Sequence, residues 1–220
     1  MKRYIFWMPL LFSCLVGFGQ KDPEAEAILK KVADKAKSYK TIQADFEYTI
    51  ADQQKNTEEI YDGSVLLKGP MFKMSIDASI TYCDGKTRWV YLKDNNEVNI
   101  SNVVQSKDLE PEERFLNNPM SLFTLYQDGF KYVKTESETI NNQMYSIIDL
   151  TPEDIKKPYF KIRCWVSESN DLFMMRYFQK DATHITFKFK KFIPNIKVID
   201  ADFIFDTKKY PDIEVIDLRE

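Results

Sequence analysis

Residues 82–92 read YCDGKTRWVYL. Asp84-Gly85 stands between two runs rich in β-branched and aromatic residues, which is the strongest short-range signal for a β-hairpin. The hairpin is bulky, with Tyr82, Trp89, Tyr91 and Leu92 close together. Side chains of that size either fill a core or line a space meant for something else.

The pattern around the hairpin is of the same kind. On its N-terminal side, Phe72, Met74 and Ile76 alternate with Lys73, Ser75 and Asp77 after a break at Gly69-Pro70. Before the break, EIYDGSVLLKG reads as a strand, and Phe46, Tyr48 and Ile50 alternate with Asp45, Glu47 and Thr49. On the C-terminal side, Asp94-Asn95-Asn96 turns into EVNISNV. A period of two between short polar turns describes an antiparallel meander.

Residues 105–129 interrupt the meander. Pro111-Glu112-Glu113 offers a short helical turn, and Asn118-Pro119 begins a second helix over 119–127 whose residues Met120, Leu122, Phe123, Leu125 and Tyr126 leave little polar surface. Strands resume with FKYVKTES, MYSIIDLTP, YFKIRCWVSE, LFMMRYFQ and HITFKFKKFI, and the chain closes on ADFIFD and IEVIDL. Ahead of all this, Asp22-Pro23-Glu24 caps a helix, with Ile28, Leu29, Val32, Ala36 and Tyr39 at helical spacing. This helix spans roughly 23–38. The expected fold is mainly β (α+β): one incomplete antiparallel β-barrel of about ten to eleven strands, with helices on its concave side lidding an apolar cavity.

The N-terminus belongs to targeting rather than to the fold. Lys2 and Arg3 precede the apolar stretch YIFWMPLLFSCLVGF, and Gly17-Phe18-Gly19 is a small-x-small cleavage site. Residues 1–19 read as a cleavable signal peptide, with 20–220 as a single mature domain. A rival reading makes Phe12-Ser13-Cys14 a lipoprotein processing site, although the apolar run continues past Cys14. Losing Lys2 and Arg3 takes the 31 basic residues to 29 against 34 acidic ones, a net charge of −5. An acidic exported chain without a basic stripe points away from nucleic acid. Two cysteines remain, Cys83 and Cys164, and either a disulfide between them or two buried thiols fits the spacing.

The chemistry inventory points away from catalysis. The single histidine, His184, opens a strand beside Thr186 and Lys188 and reads as solvent-facing. No nucleophile elbow supports a Ser-His-Asp site, one histidine with scattered cysteines lacks zinc-ligand spacing, and six glycines form no phosphate loop. The acid pairs Glu58-Glu59 and Glu112-Glu113 read as solvated turns. What remains is apolar surface, which either closes into a filled core or lines a cavity for acyl chains, at about 0.8 kcal/mol per buried CH₂.

GSVLLKGPMFKMSI followed by CDGKTRWVYLKDNNEV resembles the LolA-type outer-membrane lipoprotein carrier proteins, as does the order Asn118-Pro119, apolar helix, and closing ADFIFDTKKYPDIEVID. The resemblance implies a soluble periplasmic chaperone. Such a chaperone binds the acyl chains of lipoproteins released by an inner-membrane ABC-type complex and carries them to an outer-membrane acceptor, as a monomer, without cofactor or covalent chemistry. An alternative on the same scaffold is another lipid- or glycolipid-binding protein or a lipoprotein sensor. The lipid-binding residues implied are Phe46, Tyr48, Val65, Leu67, Phe72, Met74, Trp89, Tyr91, Leu122, Phe123, Leu125, Phe160 and Ile162. One departure stands out. Many family members carry Arg just before the Pro of the strand break, where it holds the lid; here that residue is Gly69, and Lys68 points to the other face.

Overall fold

The structure, a computed structural model, describes residues 21–103 and 111–219. The expected signal peptide, 1–19, and Cys14 lie outside the described residues. Asp22 begins the first helix as its residue type requires: one carboxylate oxygen accepts from the Glu24 N–H at 2.9 Å and the other from the Lys134 N–H at 2.9 Å. The cap therefore also ties the helix to a strand. Helix α1 (Pro23–Ser38) places Glu24 and Glu26 at its positive end and Lys35 and Lys37 at its negative end. Its buried face is Ala25, Leu29, Val32, Ala33 and Ala36. Three of the five are alanines, so the helix backbone lies close to what it covers.

Six strands follow: β1 (Ile42–Asp52), β2 (Thr57–Lys68), β3 (Met71–Ile76), β4 (Ser79–Cys83), β5 (Thr87–Leu92) and β6 (Glu97–Asn102). Helix α2 (Pro111–Asn117) and two 3-10 turns, Pro119–Phe123 and Leu125–Gln127, lead to β7 (Phe130–Ile140), β8 (Gln143–Pro152), β9 (Tyr159–Ser167), β10 (Leu172–Gln179) and β11 (Thr183–Pro194). Further 3-10 turns at Asp200–Phe203 and Thr207–Lys209 precede β12 (Glu214–Asp217). The strands form one open sheet in the order β12-β6-β5-β4-β3-β2-β1-β11-β10-β9-β8-β7. Neighbours are antiparallel except β12, which lies parallel to β6. The result is the expected mainly β, incomplete barrel, with twelve strands among the described residues in place of ten to eleven. Part of ADFIFD, expected as a strand, is instead the 3-10 turn Asp200–Phe203. The expected helix over 119–127 is broken into two 3-10 turns at Thr124.

The two faces of the sheet differ. One carries α1, α2 and the turns after it, and holds the main core. On the opposite face, Tyr82, Tyr91, Val98 and Ile100 of β4–β6 are covered by Phe205, Tyr210 and Ile213 of the C-terminal segment. Further along that face, Tyr145, Ile147 and Trp165 form a smaller cluster with Phe173 and Met174. Cys83 and Cys164 are unpaired and buried on the helix-bearing face, with β3, β2, β1, β11 and β10 lying between their strands.

Candidate functional site

The helix-bearing face forms a trough floored by β1–β3 and β8–β11. Phe46, Val65, Leu67, Phe72, Met74 and Ile162 reach it from the strands, and Leu122, Phe123 and Leu125 reach it from the turns above; all nine are buried in one cluster. Tyr48 is half-buried at its border, with its ring centroid 4.9 Å from that of Phe187. Segment 111–127 is thus a lid laid directly into the trough.

At the centre of this plug sits a residue that the sequence pattern does not single out. Phe115 of α2 is 2% exposed. Its ring stands edge-on to Phe46 at 5.7 Å and to Phe187 at 4.7 Å. Its only signal is a single aromatic in the polar run PEERFLN, four residues after the helix-starting proline. Phe46 in turn needs Gly63, its partner across β1 and β2, because a Cβ there would lie 2.3 Å from the Phe46 ring. A glycine inside a strand here marks the place where a ring lies on the neighbouring backbone.

Three of the expected lipid-binding residues do not join the trough. Cys83 pairs with Phe72 and faces inward, so Tyr82 and its partner Trp89 face outward. Tyr91, two residues beyond Trp89, shares that outer face and packs on Phe205 and Tyr210 at 5.4 and 4.7 Å. The hairpin's aromatics are therefore the floor under the C-terminal segment rather than a cavity wall. Phe160 is 50% exposed against Phe178. A register shift between Phe178 and Gln179 opposite the start of β9 breaks the alternation, so Tyr159 takes the buried position ahead of Ile162.

Two side-chain hydrogen bonds place the lid. The Asn118 side chain caps the first 3-10 turn by accepting from the Met120 N–H at 3.2 Å. Arg88, inward-facing on β5 opposite Cys83, donates from Nη1 to the Asn117 side-chain oxygen. Gly69 adopts φ +55°, a left-handed turn conformation that disfavours a side chain, and Lys68 points to the outer face, where it pairs with Asp200 at 2.5 Å. Burial holds the Arg88 guanidinium below its usual range and pushes the Cys83 thiol up. Burial also pushes the Cys164 thiol up to about 12.

Beside the lid a solvent-open cleft of about 450 Å³ is bordered by the charged residues Arg114, Asp128, Glu153, Asp154 and Lys157, with Phe130 and Tyr159 at its base. A crevice of about 40 Å³ separates Phe123 from Ala36 and Leu172. His184, expected to face solvent, is half-buried because the Phe178 ring packs on it at 4.7 Å. Desolvation first, then Arg176 and Lys161, lowers its pKa. Among the described residues, no group of three or more His, Cys, Asp or Glu is placed to hold a metal ion.

No curated protein matches the chain. Among solved structures it is similar to a LolA superfamily protein from Nitrosomonas europaea (15% identity, 83% of this chain and 98% of the other, TM-score 0.42). It is also similar to LprF from Mycobacterium bovis (12%, 82% and 97%, TM-score 0.49) and to the lipoprotein LppX from Mycobacterium tuberculosis (13%, 81% and 99%, TM-score 0.43). The sequence profile of the family described as outer membrane lipoprotein carrier protein LolA matches residues 15–169, more than half of the chain. The chain belongs to the outer membrane lipoprotein carrier protein LolA family.

Proposed function

We propose that this protein is a non-catalytic carrier that takes the acyl chains of lipoproteins into the trough beneath segment 111–127. On this reading residues 1–19 direct export and are removed, and 20–220 form one soluble periplasmic domain. The domain receives cargo from an inner-membrane ABC-type release complex and delivers it to an outer-membrane acceptor. The observation that carries the proposal is the lid itself: Phe115, Leu122, Phe123 and Leu125 fill an apolar trough from a segment of short helical turns.

The physical consequence is an exchange. Acyl chains entering the trough displace apolar lid side chains, so apolar surface replaces apolar surface. At about 0.8 kcal/mol per CH₂, unopposed burial of even one long chain would exceed roughly 10 kcal/mol, too tight for a carrier that must let go. The energy of closing the lid is subtracted from that gain and leaves a moderate affinity.

Native mass spectrometry of the mature protein, titrated with a triacylated lipopeptide and with the same peptide unacylated, tests the proposal. One acylated peptide per protein and none of the unacylated form is the expected result. Binding of neither would mean that the trough is ordinary core.

A further inference from the structure

Among the described residues, Arg88 Nε is the one buried side-chain nitrogen or oxygen without a hydrogen-bond partner. Such an atom calls for an explanation, since a buried donor left unmade costs the full desolvation of its group. The Arg88 guanidinium meets the amide oxygen of Asn117, an acceptor that is neutral and belongs to the lid. Burial leaves the guanidinium desolvated and below its usual range.

The surroundings of Arg88 are also distinct. The trough floor is apolar from β3 onward, but the inward-facing register positions of β4–β6 hold Thr81 opposite Val90, Val90 opposite Asn99, and Arg88 opposite Ser101. All are half-buried. Phe72, Cys83 and Arg88 lie in one row across β3, β4 and β5. At about 4.8 Å per strand, Arg88 sits roughly 10 Å from the Phe72 backbone. The helix-bearing face is therefore amphipathic: an apolar floor, then a polar end whose cation meets the lid at Asn117.

We propose that Arg88 is the head-group residue of the site: when the lid leaves, its guanidinium passes from the Asn117 amide oxygen to an ester carbonyl oxygen of the diacylglyceryl head, while the chains lie on the floor toward Phe72. The exchange replaces one neutral carbonyl acceptor with another and provides an acceptor for Nε. No charge is buried or released, which suits reversible loading. This inference deepens the carrier reading and rests on it.

The test compares two lipopeptides with equal chain lengths, one a diester and one its dialkyl ether, each competing with an apolar fluorescent dye for the mature protein. The wild type is expected to hold the diester about ten- to a hundredfold more tightly, the range for a hydrogen bond to a charged group. Arg88→Met should abolish that preference and Arg88→Lys should keep part of it, with thermal unfolding confirming that each variant folds. Asn117→Ala, which frees both the lid and the guanidinium, should tighten both lipids and retain the preference. Equal binding of the two lipids by the wild type, or an Arg88→Met variant that shifts both by one factor, would overturn the inference, leaving Arg88 as a lid fastener and the carrier reading intact. An Arg88-dependent preference for dipalmitoyl phosphatidate over the diester would overturn it in favour of an anionic head. Failure of both lipopeptides to bind would instead remove the carrier reading on which it rests.

Discussion

Phe115→Ala separates a detachable lid from ordinary core. The ring is 2% exposed and stands edge-on to two aromatic partners, each such pair contributing about 0.5–1.5 kcal/mol beyond area burial. Truncating a buried Phe to Ala costs about 3–5 kcal/mol. If segment 111–127 opens as a unit, that cost falls on lid closure. At about 1.4 kcal/mol per tenfold change, 3 kcal/mol raises the open fraction up to about a hundredfold. Affinity for an apolar dye is scaled by the open fraction, so it should tighten by up to the same factor. Denaturant stability should fall by the full ~3–5 kcal/mol while the closed form still dominates, and by less once the open form, which never used the Phe115 contacts, becomes the majority. Dye titration and urea unfolding on the same preparation read both quantities. Unchanged dye affinity alongside the loss of stability would refute the reasoning and make the lid a fixed part of the core.

Three further expectations concern other parts of the molecule. Gly63→Ala should drive the Phe46 ring from its seat, with a stability loss of about 1–3 kcal/mol in urea unfolding and altered dye binding, because the ring occupies the space of the new methyl. Phe205→Ala should lower stability by about 3–5 kcal/mol but leave dye affinity unchanged, since its cluster lies on the face away from the trough; a changed affinity would contradict that separation. His184 has a folded pKa below its unfolded value of 6.5. The unfolded chain therefore takes up the proton first as pH falls, so the contribution is fully present above about pH 6.5 and is lost as pH drops toward the folded pKa. His184→Gln should flatten that part of the stability–pH profile, and identical profiles would count against it.

Legibility follows the number of covered faces. Helix α1 is readable to its ends because Asp22, Pro23 and the one-sided apolar spacing agree. The trough positions of β1–β3 are readable because Phe46, Val65 and Phe72 alternate with residues on a more polar outer face. The hairpin is readable as a hairpin but not in its facing. The outer face of β4–β5 is covered by Phe205 and Tyr210, so large residues occur on the side where no cavity wall is needed. Phe160 is displaced by a bulge, a one-residue irregularity that leaves no mark in the pattern. Phe115 is hidden because one aromatic in a polar run has no period to betray it. Arg88 is not legible as part of a site, since its role depends on a lid residue 29 positions away.

The seam between β1 and β11 also sets when the molecule can finish folding. Ile42 pairs with Pro194 and Phe46 with Phe189, so the first strand waits for nearly the last before its second edge is filled. Non-local pairing of this kind belongs to slow, high-contact-order folding, on millisecond-to-second timescales. Until β11 arrives, β1 presents a bare edge and Phe46 lacks the cover of Phe187. A chain of this topology emerging N-terminus first holds its most adhesive surface open for most of its synthesis, and a truncation before residue 183 would leave it permanently unzipped.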